Sequence, residues 1–380
     1  MRMGWRIVVL GCALVLSEAT IHHSDAETGK VGGATFDDRI DAAIERGLDF
    51  LGTVQAVGPA PVVHGEGQAP AKPVSDGSIS DSPAHTGSAG LTSLCTLAYL
   101  SKGHKPGEGR HGKTINAALD YVLLQQSDDG LIAGPDVRLQ KNLTSTMYGH
   151  CISTLLLAEA ARMVDPDRRA RIDKSLPKAI SLILAAQAVV KPKESSGGWR
   201  YLPDSKDSDL SVTVWAIMAL RAAKVNGVDV PQKDFDAAAE FVLRCFKEQS
   251  RGFAYSPGGQ ARAGLTAAGI VCLELCGRDG HAAIAPAREF LLKNEPKQFI
   301  EDFDSIYAAY FCGLAALKSG DAHWQRWALQ KYDHLLGVQR ADGGWNETNH
   351  VHGRSYSTAF AILAMTPRDR KLSIYQQKKQ

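Results

Sequence analysis

The sequence predicts an all-α fold: about twelve helices, arranged as six outer/inner pairs that close into a ring. Recurring glycine-led turns are the first reason, at Asp129-Gly130-Leu131, Gly197-Gly198-Trp199 and Asp342-Gly343-Gly344-Trp345, with Gly252-Phe253 as a weaker relative. Gly198 and Gly252 lie 54 residues apart, and Gly252 and Gly344 lie 92 apart, twice 46, which leaves room for one degenerate unit; the step from Gly130 to Gly198 is longer, at 68. A constant offset is the second reason. Thr213 lies 15 residues after Gly198, Thr266 lies 14 after Gly252, and Thr358 lies 14 after Gly344, each opening an apolar segment. Self-similarity of this kind marks supersecondary units that bury their apolar faces only against neighbours.

Two kinds of helix alternate along the chain. Outer helices are expected from near Arg39, Ile115, Leu176, Phe235, Ile284 and Trp324, with apolar residues at steps of three and four, as at Ile115, Ala118, Leu119, Val122 and Leu123. Inner helices are expected from near Leu91, Thr146, Ser211, Leu265, Ser305 and Ser355. Segments 212–223, 265–275 and 307–317 are apolar almost all round, the pattern of a helix buried on every side. Gly103, Gly227, Gly277 and Gly320 follow inner helices and supply a left-handed stop, and Pro231 and Pro286 stand where outer helices restart. An open solenoid needs a polar outer face on its last repeat. Segment 356–365 is apolar instead, which favours closure.

The ring domain is expected over 36–368, interrupted by a flexible Pro/Gly/Ser-rich insertion at 58–87 and followed by a polar tail at 369–380. Residues 1–26 resemble a secretory signal and leader: Arg2 and Arg6 flank the apolar run 7–16, and Ser17-Glu18-Ala19 follows. That run falls short of the ~20 residues needed to span a bilayer, so the expected location is exported, periplasmic or extracellular, with membrane contact but no spanning segment once the signal is removed. The chain is 44% hydrophobic with a net charge of +2, a composition that can bury a large core and carries no bias toward nucleic acid. Cys95, Cys151, Cys245, Cys272, Cys276 and Cys312 fall in apolar helical runs and are expected as buried small hydrophobes. The basic, glycine-rich run 102–113 matches no phosphate-loop pattern; it reads as a solvated connection, with anion binding at the next helix N-terminus as the alternative.

With the paired helices and Gly-Gly-Trp turns, stretches such as Gln339-Arg340-Ala341-Asp342-Gly343-Gly344-Trp345 and Asp209-Leu210-Ser211-Val212-Thr213-Val214-Trp215 resemble the prenyltransferase and squalene cyclase repeat superfamily over most of the chain after residue 38. The resemblance implies an α/α toroid, the α6/α6 barrel. Squalene and hopene cyclases carry Asp-x-Asp-Asp-Thr-Ala at the start of an inner helix. Aligned on Thr213, the paired aspartates fall on Ser211 and Val212, and only Asp209 survives; a two-residue slip uses Asp207 and Asp209. Protonating an alkene takes a carboxylic acid kept protonated, commonly by a second carboxylate nearby, so Asp209 and Asp207 are the candidate catalytic pair. Prenyltransferase β subunits bind zinc through Asp-x-Cys and Tyr-His-Thr. The matching stretches here are Asp304-Ser305-Ile306 and Tyr356-Ser357-Thr358, so no metal or other cofactor is expected.

Polar and aromatic residues at inner-helix N-termini form the candidate ligand site: Tyr148, His150, Trp215, Asp304, Tyr307, His352, Arg354 and Tyr356. Trp199 and Trp345 are expected to wedge between helices. The function expected from the resemblance is a toroid whose cavity holds an elongated, isoprenoid-type or other hydrophobic ligand, with both known catalytic signatures degenerate. A noncatalytic secreted binding or scaffold protein and a polysaccharide-active toroid are the alternatives; the last would need two carboxylates across a groove.

Overall fold

The computed structural model describes residues 35–56, 77–82, 85, 87–135, 137, 146–294, 303–346 and 353–375, and the expected signal at 1–26 lies outside them. Its outer helices are α1 (Phe36–Thr53), α3 (Gly112–Leu124), α5 (Pro166–Ala188), α7 (Gln232–Arg244), α9 (Ile284–Asn294) and α11 (Asp321–Gly337). The inner helices are α2 (Ala89–Lys102), α4 (Thr146–Ala160), α6 (Leu210–Val225), α8 (Ala263–Leu275), α10 (Phe303–Lys318) and α12 (Gly353–Met365). Each inner helix packs on the next, and α12 packs on α2, so the ring is closed. Outer helices sit over the grooves between inner ones, and α1 meets both α11 and α12 across the seam.

Burial follows the two hydropathy patterns. Outer helix α1 buries Ile40, Ala43, Ile44, Leu48 and Leu51 and leaves its other face to solvent, whereas nearly every residue of α4 and α6 is buried. Helix α5 starts well before the expected Leu176, because Asp165 caps it, Pro166 occupies its first turn, and Pro177 is accommodated inside.

A single device joins the units. In the turn after an outer helix one residue is left-handed: Gly77, Gly130, Gly197, Arg251 or Gly343. The glycine of such a turn lies against the backbone of the next outer helix. A Cβ on Gly77, Gly130, Gly197 or Gly343 would come within 2.2 to 2.5 Å of the carbonyl oxygen of Ala117, Lys178, Ala237 or Arg46 respectively. Three residues earlier on the same neighbouring helix, another carbonyl accepts from a glutamine of the turn. Gln55, Gln126, Gln187 and Gln339 donate from Nε2 to Thr114, Ser175, Asp234 and Ala43 at 2.8 to 3.0 Å, and also to the carbonyl of their own left-handed glycine.

Two residues past the left-handed position, a backbone N–H donates to a threonine on the inner helix. Ile79, Trp199, Phe253 and Trp345 bond Thr92, Thr213, Thr266 and Thr358 at 2.9 to 3.1 Å, which accounts for the constant threonine offset. Trp199 and Trp345 are buried, and their indole N–H groups donate to Ile183 and Leu335 of the outer helix that precedes each turn. The six cysteines in the described residues are free and buried.

Two boundaries differ from expectation. Residues 77–82 of the supposed flexible insertion build the first turn, and Asp81 caps α12 across the seam by accepting from the Arg354 and Ser355 backbones. The tail expected from 369 is not polar throughout: Leu372, Ile374 and Tyr375 are buried, and the Glu159 carboxylate holds Ser373 through its N–H and hydroxyl at 2.8 and 2.7 Å.

Replacing Gln187 with alanine removes two bonds to otherwise committed backbone and is expected to destabilise the protein by about 1–3 kcal/mol. Gly197→Ala, which adds both a positive-φ penalty and a clash with Ala237, is expected to cost more. Urea unfolding of both variants checks the order.

Candidate functional site

Because all six inner helices enter the ring from one face, their N-terminal halves surround a common space. The space is a cavity of about 750 Å³, well within the range of small-molecule sites. Seven aromatic side chains stand in its walls among small and aliphatic residues: Tyr148 on α4, Trp215 on α6, Tyr307 on α10, Tyr356 and Phe360 on α12, and Tyr201 and Tyr255 from the turns. Below them Trp215, Tyr310, Phe311 and Phe360 pack together, with Trp215 stacked on Tyr310 at 6.0 Å. Tyr375, whose hydroxyl lies 3.5 Å from that of Tyr310, fills the C-terminal end of the ring. The ring is thus hollow at one end and plugged at the other.

Asp209 is the N-cap of α6: its Oδ1 accepts from the Val212 N–H at 2.9 Å and from the Ser211 hydroxyl at 2.6 Å. Since the Ser211 proton goes to Asp209, the Tyr148 hydroxyl donates to Ser211. A chain of polar groups therefore runs from the buried carboxylate to the cavity wall, where Ser211 and Tyr148 are exposed to the space. The other oxygen of Asp209, Oδ2, is buried without a hydrogen bond and faces the Arg200 guanidinium at 3.9 Å. Burial pushes this carboxyl above its usual range, against the opposing pull of Ser211, the Val212 N–H, Arg200 and Tyr255. Asp207 plays no such part; it is exposed and pairs with Arg200 at 2.8 Å.

The remaining sequence-predicted residues divide. Tyr148, Trp215, Tyr307 and Tyr356 line the cavity. His150 does not; it does the work of the repeat threonine in the second unit. Its Nδ1 accepts from the Ile132 N–H and its Nε2 donates to the Ala179 carbonyl, both at 3.1 Å, leaving neither nitrogen for a ligand. Arg354 is likewise structural, clamping Asp342 through two bonds of 2.9 and 2.7 Å with its guanidinium 4.4 Å from the Phe50 ring. Asp304 falls in the first turn of α10, and His352 lies outside the described residues.

Sequence reasoning missed Tyr201 and Tyr255. Both stand four residues past the left-handed position of their turns, so the repeat itself carried the signal. Their hydroxyls bond each other at 2.6 Å, the Arg200 guanidinium lies over both rings, and their carbonyls accept from the first-turn N–H groups of α4 and α6. Arg262, preceding α8, is the one permanently charged side chain among the described lining residues, and none of these is a carboxylate.

A closed α/α ring with an aromatic, one-ended pocket defines the class. Residues 90–298 match the prenyltransferase alpha-alpha toroid domain, and the chain belongs to that family. No curated protein matches it in sequence. Among solved structures it is similar to the apo type II terpene cyclase MstE from Scytonema, with 12% identity over 88% of this chain and 99% of that one and a TM-score of 0.53. It is similar also to the GH76A alpha-1,6-mannanase from Salegentibacter sp. HEL1_6 (8% identity, 86% and 98% covered, TM-score 0.55) and to an alpha-amylase from Clostridium perfringens (13%, 86% and 97%, 0.52). At such identities the likeness is one of fold.

Two titrations follow from these environments. Burial pushes the His150 imidazole down to about 4, so the unfolded chain takes up this proton first as pH falls. Stability is expected to be full above pH ~6.5 and to drop by about 3 kcal/mol on acidification to pH 4, a component that His150→Asn lacks. Asp209 has the opposite sign. Its raised pKa means that ionisation costs the native state, a cost absent below pH ~3.9 and complete above the folded pKa. Asp209→Asn, which keeps the capping oxygen, is expected to gain stability relative to the parent as pH rises from 4 to 8, measured by denaturant unfolding along the series.

Proposed function

We propose that this toroid is exported and that its cavity holds one elongated, isoprenoid-type molecule, with an uncharged hydroxyl head against Tyr148 and an apolar stem along Trp215, Tyr307 and Tyr356. The aromatic lining without a carboxylate, among the described residues, carries this reading. Aromatic walls bury apolar stems over a large area. Tyr148 spends its proton on Ser211, so its oxygen offers the ligand an acceptor, which suits a hydroxyl and repels a diphosphate.

Hydrolysis of a polysaccharide is poorly supported, since it takes two carboxylates about 5 to 9.5 Å apart at the substrate and Asp209 is buried behind Ser211. A second reading, cyclisation of a polyene, is favoured by one observation: burial raises the Asp209 pKa, as for a proton donor, and Ser211 and Tyr148 connect it to the cavity, a path that delivers a proton once Asp209 is protonated and both hydroxyls turn to donate away from it.

Mass spectrometry of small molecules co-purifying with the mature protein is expected to find an isoprenoid alcohol or similar lipid, depleted in a Tyr307→Trp variant that fills the cavity. An empty cavity in the parent, with no binding of added long-chain isoprenoid alcohols, would sink the reading. Conversion of squalene that is lost in Asp209→Asn would establish the second one.

A further inference from the structure

At the opposite end of α2 from the cavity, side chains from two distant parts of the sequence converge on the rim. Glu45 and Asp49 stand one turn apart on α1. His104 follows Gly103, whose left-handed backbone ends α2, and His111 precedes α3. The connection between the histidines is folded tightly, with Gly107 and Gly109 left-handed and the Gly107 N–H bonded to the Gly112 carbonyl at 3.0 Å.

This fold brings both imidazoles to one carboxylate. His104 Nε2 lies 3.0 Å from Glu45 Oε1, and His111 Nε2 lies 3.6 Å from Glu45 Oε2 and 3.8 Å from Asp49 Oδ1. A ligand atom from each of Glu45, His104 and His111 falls within 4.8 Å of the other two. Ligands about 2.0–2.2 Å from a tetrahedral cation are roughly 3.4 Å apart, and two imidazole nitrogens with carboxylate oxygens are a zinc-type donor set.

A second observation points the same way. His111 is only 5% exposed, and its Nε2, aimed at the two carboxylates, is buried without a hydrogen-bond partner. An ion-pair network would be expected to satisfy that atom, since an unpaired buried nitrogen is costly. Arg110 competes for the same place, 2.6 Å from Glu45 Oε2 and 3.3 Å from Asp49 Oδ1. Its side chain is 53% exposed, so it can turn into water, and exposed pairs of this kind contribute little.

We propose that Glu45, His104 and His111, with Asp49 as fourth ligand, bind a divalent cation of the zinc type, and that the cation staples the first outer helix to the α2–α3 connection. The site shares no residue with the cavity or with the Asp304 and Tyr356-Ser357-Thr358 positions. Arg110 is the counter-charge that holds the carboxylates while the site is empty.

The full chain, stripped with chelator, is titrated with Co²⁺ and then Zn²⁺. One Co²⁺ per chain with the strong visible absorption of a four-coordinate site, displaced by Zn²⁺, is expected, together with a Zn²⁺-dependent rise in Tm. His104→Ala and His111→Ala should each weaken binding at least tenfold. Arg110→Ala keeps all four ligands and removes their competitor, so it should tighten binding several-fold; a purely electrostatic cluster would only lose stability. Absence of saturable Co²⁺ uptake, a weak six-coordinate spectrum, or uptake unchanged in the double histidine variant overturns the proposal, and the parent spectrum and Arg110→Ala decide it should the histidine variants fail to fold.

Discussion

The ring depends on a contact between side-chain amide and helix backbone, repeated at Gln55, Gln126, Gln187 and Gln339. A helical carbonyl already accepts from the N–H four residues on, but it keeps a second lone pair. The glutamine uses that lone pair on the next outer helix, while the left-handed glycine fits against the carbonyl three residues further along. Both contacts read backbone, so the outer helices are free to differ in sequence and still stack at one spacing and rotation. Closure is the same contact made once more: Gln339 reaches Ala43 and Gly343 fits against Arg46, so α1 receives the last turn as α3 receives the first.

From this geometry the cavity follows. Each of the five described turns is held down on its inner helix by the bond from its backbone to a threonine, or to His150 in the second unit. The residues just past the turn then lie over the N-termini of the inner helices, where Tyr201 and Tyr255 complete the wall. At the other end helix C-termini converge, and there the aromatic cluster and the Leu372–Tyr375 segment fill the space. A repeated turn thus makes a pocket with one open end, and no single residue is responsible for it.

How much of this was legible depended on whether a feature was local. The turn glycines, the threonine offset and the two burial patterns lie within short windows of sequence, and they sufficed for the ring, its six pairs and most helix starts. Gly77 was hidden because its glutamine partner stands 22 residues upstream, across an insertion. The turn at Gly252 looked weak because Arg251 takes the left-handed position and Phe246 stands where the glutamine would be. His150 and Arg354 were assigned to the ligand by position at a helix start, yet both are occupied by backbone or carboxylate partners that only the folded chain supplies. The cluster of Glu45, His104 and His111 had no local signature either, since it forms only when α1 packs beside the α2–α3 connection.

Asp209 shows why survival of a motif residue is poor evidence for survival of its chemistry, and also what can still be learned from it. Capping alone does not require a carboxylate: Ser88 caps α2 through its hydroxyl, with no charge to bury. A serine at 209 would do the same for α6 and would leave no unpaired Oδ2. What the carboxylate adds is an acceptor strong enough to take the Ser211 proton while it also holds the Val212 N–H. That fixes the direction of the Tyr148 bond and, with it, the face that Tyr148 turns to the cavity. Where the resemblance places a pair of acids aimed at a substrate, this chain has a serine oriented by one acid behind it. The polarity of the wall is therefore set by Asp209 even though Asp209 is not part of the wall.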